Sequence, residues 1–347
     1  MPSALSPQPV RIILCIAALM LSAGCDARRE HLIAGRTMGT TYQIKVVTGD
    51  LGSVKGLQEK IERRLDEINR SMSPYLPDSE ISRFNRFQEA GVEFPVSADF
   101  HRVMRAAARV HALSEGAWDG TVNPLVDLWG FGRAGRGAEP PPAEKIAALL
   151  GEVGFEAIEI REHGALAKRR ASVTLDLSSI AKGYGVDQVA EVVRKSGFTD
   201  FLVEIGGETY AAGRRRDGQA WRVGINSPNP EARPDEIHAI VTLRDEALAT
   251  SGDYRNFFVK EGVRYAHIID PRTGYPVANR VVSVSIRGRD CTLADGLATA
   301  VLVMGAEKGL ALIDRLDGTE GLIVVANPDG RLDDHLSRGF RAEFPRP

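Results

Sequence analysis

Apolar positions recur along this chain with two different periods, and those periods mark out its elements. From Val54 to Ser71, Leu57, Ile61, Leu65 and Ile68 fall on one stripe between charged residues, which predicts an amphipathic helix that Pro74 forces to end. Similar spacing predicts helices over Ala98–Ser114, closed by Glu115-Gly116, near Ala143–Gly151, from about Ser179 to just before Gly197, and over Cys291–Met304. Alternation of Tyr42, Ile44 and Val46 with Gln43 and Lys45 predicts a strand over Tyr42–Val47. Further strands are expected at Val173–Leu177, Phe201–Ile205, Trp221–Ile225, Ala239–Leu243, Ala247–Thr250, His267–Ile269 and Val281–Ile286. Helices and strands mix without regular βαβ alternation, which favours an α+β fold over a doubly wound sheet. The stretch richest in structure breakers, Gly130 to Pro142, reads as a surface loop, and no linker separates independent units.

The 347 residues are 43% apolar and 26% charged, as in a globular chain with a substantial core. Net charge is −2, and −3 for residues 25–347, because Arg11 is the one charged side chain before them. That balance excludes a nucleic-acid partner, which needs a basic excess. Arg11 precedes an apolar and small-residue run, Ile12 to Gly24, too short to span a bilayer and suited to a signal peptide over residues 1–24. Its end, Leu21-Ser22-Ala23-Gly24-Cys25, resembles a lipobox, with Ser22 where the pattern prefers Leu. Lipid on Cys25, followed by Asp26, implies retention at the periplasmic face of a bacterial inner membrane; an ordinary cleaved signal or a membrane anchor is the competing reading. With Cys15 in the leader and Cys25 lipidated, Cys291 has no intramolecular partner and reads as a buried structural thiol.

Three stretches carry candidate chemistry. In Leu175-Asp176-Leu177-Ser178-Ser179-Ile180-Ala181-Lys182-Gly183-Tyr184-Gly185, a strand delivers Asp176 to a helix start capped by a serine. Two glycines leave that first turn uncrowded, and free amides beside Lys182 suit a phosphate. An ordinary helix start is the bland alternative, and the spacing matches neither a Walker loop nor GxGxxG. In Thr292–Thr299, Asp295 and Thr299 share one partly exposed helix face a turn apart and offer two hard oxygen ligands of the kind Mg²⁺ takes; the alternative is a solvated face with an Asp near the helix N-terminus for dipole reasons. No His/Cys cluster has zinc spacing. The third stretch, Ala249 to Asn256 followed by Tyr265 to Pro276, holds Asp253 and His267 ahead of an Asp-Pro-Arg-Thr-Gly turn. Those two residues acquire catalytic meaning where the fold sets them beside a metal.

Eight stretches, Thr37–Thr41, Ser71–Asn85, Gly116–Gly132, Asp176–Asp187, Glu204–Gly207, Ser251–Asn256, His267–Pro276 and Asp295–Thr299, together resemble the ApbE family of FAD:protein FMN transferases, in family order across nearly all of residues 25–347. The resemblance implies a two-lobed α+β fold with mixed or antiparallel sheets, flanking helices and a deep FAD cleft. It places Met38, Tyr75, Ala117, Trp118, Asp119, Asp176, Lys182 and Ile269 at flavin-nucleotide contacts, and Ser179, Asp295 and Thr299 at an Mg²⁺ (or Mn²⁺) site. The chain departs from the family in having Ser179 for Thr or Ala, Lys182 where some members have Glu, and Ala298 where some have a second Asp. The last two make the metal site less acidic than in those members.

The implied reaction is attack by a Ser or Thr hydroxyl of an acceptor protein on the FMN-side phosphorus of FAD, with AMP leaving. His267, then Asp253, is nominated as the base. By resemblance the acceptor is a subunit of a membrane redox complex carrying a Ser/Thr flavinylation motif. Two readings compete: an FAD pyrophosphatase in which water attacks, and a non-catalytic flavin-binding lipoprotein.

Overall fold

The computed structural model describes residues 28–50, 52–132, 139–229, 231–233, 235–252, 257–261 and 263–345. Among them are fifteen strands and eight α-helices, numbered here in chain order. Strands β1 (Arg29–Thr37), β2 (Thr40–Thr48), β6 (Asp200–Ile205), β7 (Glu208–Ala212), β10 (Glu246–Gly252), β13 (Val281–Gly288), β14 (Glu320–Ala326) and β15 (Leu332–Leu336) form one eight-stranded sheet in that order, antiparallel throughout. Three smaller sheets are β3 (Glu93–Pro95), β5 (Ala165–Lys168) and β4 (Ile158–Arg161); β8 (Trp221–Asn226) with β9 (Ile237–Leu243); and β11 (Phe257–Lys260) with β12 (Val263–Ala266). The helices are α1 (Leu57–Met72), α2 (Glu80–Arg86), α3 (Ala98–Leu113), α4 (Asn123–Leu128), α5 (Ala143–Leu150), α6 (Ser178–Lys195), α7 (Cys291–Met304) and α8 (Ala306–Ile313).

Four buried clusters form among the described residues, and the two largest mark two lobes. In the first, the alternating Tyr42, Ile44 and Val46 of β2 and Val203 and Ile205 of β6 bury one sheet face against α1, α6 and α7. The β8–β9 hairpin covers part of the other face with Trp221, Val241 and Leu243. The second core gathers Phe84 of α2, Phe100 and Met104 of α3, Leu166 and Phe155. Each such side chain contributes roughly 1.5–3 kcal/mol by leaving water. Helix α6 belongs to both lobes: Ile180 and Tyr184 pack in the second core, and Val186, Val189 and Val193 in the first. Its N-terminus therefore opens at the seam.

Two expected strands lack a ladder. Val173–Leu177 joins no sheet, and the side chain of Asn85 takes both backbone groups of Leu175: Oδ1 accepts from Leu175 N at 2.7 Å and Nδ2 donates to Leu175 O at 2.8 Å. His267–Ile269 reduces to one bridge between Ile269 and Pro276, since the Asp270–Gly274 turn reverses the chain at once. The predicted helices hold, with no end shifted by more than three residues and Cys291–Met304 unchanged at both. Cys291 is fully buried at the start of α7, as expected.

Lys168 of β5 is fully buried, and its ammonium donates to the carbonyls of Asn85, Phe87 and Ala171 at 3.2, 2.8 and 3.3 Å and lies 5.0 Å over the Phe84 ring. Burial pushes its pKa from 10.5 down to about 8. Between those values the unfolded chain binds the proton and the folded chain releases it, so this group adds stability as pH rises. Relative to a Lys168→Met control, the unfolding free energy is expected to grow from pH 8 toward pH 10 in urea melts. A flat difference would mean that the ammonium is not held down by burial.

Candidate active site

The seam between the lobes is built at the start of α6. The expected serine cap is absent: Ser178 is already helical, Leu177 holds the cap position, and Asp176 Oδ1 accepts from Ser178 N at 2.7 Å. Asp176 thus takes the role assigned to serine: two positions ahead of Ser178, its carboxylate accepts from the first free amide of the helix. The glycines also serve a different end. A Cβ on Gly183 would sit 2.3 Å from the Cys291 carbonyl oxygen, so Gly183 lets α7 abut α6; one on Gly185 would meet Met38 Cε at 2.9 Å.

That close approach sets Asp295 into the seam. Gly183 N, whose regular helical partner is the Ser179 carbonyl, donates to Asp295 Oδ2 at 2.9 Å. Asp295 is 3% exposed, which corrects the expected partly exposed face: α7 is apolar around almost its whole circumference and eleven of its fourteen residues are buried. Beside it Lys182 donates to Glu208 Oε1, while Glu208 Oε2 is buried with no hydrogen-bond partner. Burial raises the Asp295 carboxyl above its usual range against the pull of Lys182, and burial with the Asp295 charge raises Glu208 to about 8. Burial opposes the charged form of Lys182, yet Asp295 and Glu208 together hold it above its ordinary value. Two buried carboxylates thus face one ammonium.

A cavity of about 390 Å³ runs from this cluster to the second lobe. Of the residues singled out in the sequence it collects Ala117, Trp118, Asp119, Asp176, Ser179, Lys182, His267, Ile269, Asp295 and Thr299. Trp118 Nε1 donates to Ser179 Oγ at 2.9 Å, tying the 117–119 loop to α6. His267 meets the Phe131 ring edge-on, centroids 6.4 Å apart. Asp119 borders the cavity with its carboxylate already committed: Oδ1 accepts from Thr121 N and Oγ1 at 2.7 and 2.6 Å, and Oδ2 from Phe155 N at 2.9 Å. It shapes its loop rather than offering a free charge. His111 lies 3.8 Å from Asp119 and near Glu156, but its Nδ1 is hydrogen-bonded to the Trp118 carbonyl, which makes this trio a loop brace.

Met38 and Tyr75 do not line this cavity. Met38 sits in the β1–β2 turn at φ 49° and packs between the two cores; Tyr75 is 75% exposed on the loop between α1 and α2. Asp253 and Cys25 lie outside the described residues. Sequence reasoning missed Glu208, and gave no role to Thr250 and Ser251 although both fall in the Ala249–Asn256 stretch. The β7–β10 ladder stops at Thr209–Leu248, and beyond it Glu208 on one side and Thr250 and Ser251 on the other border the opening. Ser251 Oγ is 2.9 Å from Thr299 Oγ1. The signal for Glu208 was its place directly after the Gly206-Gly207 turn.

The donors suit a hard divalent cation. Asp295, the Thr299 hydroxyl and the Ser179 carbonyl are all oxygen, and Glu208 Oε2 beside them is one more oxygen that the protein itself leaves without a hydrogen-bond partner. Cys291 faces the interior, its thiol pushed well above the usual value by burial.

A protein-family model described as the ApbE family matches residues 38–323. The chain is 43% identical over 331 residues to an FAD:protein FMN transferase of Vibrio cholerae, covering 95% of this chain and 97% of that one. It is 38% identical to the FAD:protein FMN transferase of Haemophilus influenzae, over 87% and 89% of the two chains. The solved flavin transferase ApbE from Vibrio cholerae superposes with a TM-score of 0.82 at 42% identity, over 90% of this chain and 98% of that one. The apo flavinyl transferase ApbE of Pseudomonas stutzeri gives 0.80 at 37%, over 90% and 95%. Agreement in sequence and in backbone over nearly the full length of these relatives leaves one assignment: the chain belongs to the ApbE family.

Proposed function

We propose that the chain is an FAD:protein FMN transferase, which splits FAD and moves the FMN half onto a Ser or Thr hydroxyl of an acceptor protein with release of AMP. The observation that carries this reading is the meeting of Asp295, Thr299, Ser179 and Lys182 with the 117–119 loop, Asp176 and His267 around one cavity at the seam. The names of relatives similar over the whole chain support the same activity.

In this reading the acceptor oxygen bonds to the FMN-side phosphorus as the phosphorus–oxygen bond to AMP breaks, and AMP keeps the electron pair. Asp295, Thr299 and the Ser179 carbonyl would hold Mg²⁺, or Mn²⁺, which would supply positive charge to the phosphate oxygens. His267 accepts the hydroxyl proton, which a loose transition state releases late. Lys182, charged and held by Glu208, offers a positive group to the phosphates. Trp118 borders the cavity from the second core and fixes the start of α6 through Ser179.

Incubation of residues 25–347 with FAD, Mg²⁺ and a candidate acceptor tests the proposal. Flavin fluorescence that stays on the acceptor in a denaturing gel is the expected result. Free FMN alone would instead mark a pyrophosphatase, and unchanged FAD a binding protein. The acceptor fitting this chemistry is a subunit of a membrane redox complex bearing a Ser/Thr flavinylation motif. No helix among the described residues is long and apolar enough to cross a membrane. We propose that lipid on Cys25 holds the enzyme at the periplasmic side of the inner membrane. The mass of the mature N-terminal peptide is then expected to include the acyl groups, and an unmodified Cys25 would exclude the anchor.

A further inference from the structure

The stretch Ser71–Asn85 resembles the family, yet the cavity takes none of its side chains. Its last residue reaches the cleft indirectly. Asn85, near the end of α2, grips Leu175 through both backbone groups, at 2.7 and 2.8 Å, as a neighbouring strand would. The Asn85 carbonyl is in turn held by Lys168 Nζ at 3.2 Å. The next residue is Asp176. Its amide donates to Gly120 O at 2.7 Å, and its Oδ1 receives the first amide of α6. Asp176 is therefore clamped from two sides: by the loop that carries Trp118 and Asp119, and, through Leu175, by Asn85. A Cβ on Gly120 would lie 3.3 Å from the Asp176 carbonyl oxygen, which shows how closely the loop approaches.

We infer that Asn85 is a positioning residue for FAD, fixing Asp176 and the start of α6 through the backbone of Leu175. The inference rests on the proposed reading of the cavity as an FAD site. A side-chain amide is suited to this task because it offers one donor and one acceptor in a plane, matching the N–H and C=O of an extended residue.

A double-mutant cycle with FAD as the probe tests it, by flavin fluorescence titration of residues 25–347 well below each variant's melting temperature. Asn85→Ala is expected to weaken FAD binding about tenfold when Asp176 is present and less than about twofold in an Asp176→Ala background, because the two act as one unit. Should Asn85→Ala fail to fold, Asn85→Asp carries the test: it keeps the volume and the Oδ1 acceptor but sets an oxygen against the Leu175 carbonyl. A merely structural asparagine would lower the melting temperature and leave affinity unchanged, or lose affinity equally in both backgrounds; either result overturns the inference. Undiminished binding in Asp176→Ala overturns it as well, while failure of the unmutated protein to bind FAD removes the proposed function itself.

Discussion

Asp295→Asn is expected to slow FMN transfer by about 10³-fold while leaving the unfolding midpoint unchanged or higher. The change is isosteric, and the amide oxygen of asparagine still accepts from Gly183 N, now at 2.9 Å from Asp295 Oδ2, so the contact between α6 and α7 survives. What disappears is a charge. Asp295 is 3% exposed and burial raises its carboxyl above its usual range, so keeping it charged opposes folding even beside Lys182. Removing it relieves the protein and deprives a divalent cation of its anionic ligand. Initial rates from the gel-fluorescence assay across an Mg²⁺ titration, together with thermal melts, separate the two effects. A rate near that of the unmutated protein would falsify the ligand assignment. A collapse of the melting temperature with no loss of rate on folded protein would make Asp295 a structural residue.

Much of this arrangement was legible in the sequence, and the parts that were not have identifiable causes. The stripe Leu57, Ile61, Leu65, Ile68 and the alternation Tyr42, Ile44, Val46 gave α1 and β2 because each buries one face, and periodicity reports one-sided burial. Strands β3, β4 and β5 are three or four residues long, shorter than a period can register. The edge strand β1 is polar on most positions, so nothing apolar alternates in it. Val173–Leu177 was read as a strand for its composition, and its pairing comes from a side chain 90 residues away in sequence, which no local pattern encodes. Ten predicted residues converge on one cavity because helix starts and turns keep their chemistry in short contiguous motifs. Glu208 escaped notice because its partner, Lys182, lies in another motif, and its significance appears when the fold sets them together. Asp295 was placed on a partly exposed face although α7 has no other charged residue; a helix apolar all round is a buried one.

Gly183→Ala is expected to destabilise the protein by about 3 kcal/mol and to abolish transfer with it. Local propensity gives the opposite sign, since alanine inside a helix is favoured over glycine by about 1 kcal/mol. Packing decides the outcome. The new Cβ would lie 2.3 Å from the Cys291 carbonyl oxygen, 2.7 Å from its carbon and 2.8 Å from Asp295 Cβ. None of these is the free end of a flexible side chain, so relief requires the two helices to separate. Helix α7 cannot slide away cheaply, because Asp187 of α6 accepts from Cys291 N and Thr292 N, both at 2.8 Å, and from Thr292 Oγ1 at 2.5 Å. Any separation carries Asp295 off the Gly183 amide and away from Lys182, so stability and the metal-binding geometry fail together. Urea melts with the transfer assay at low temperature read both. An unchanged midpoint with full activity would show that the seam tolerates a methyl group, and the account of how α7 delivers Asp295 would fall.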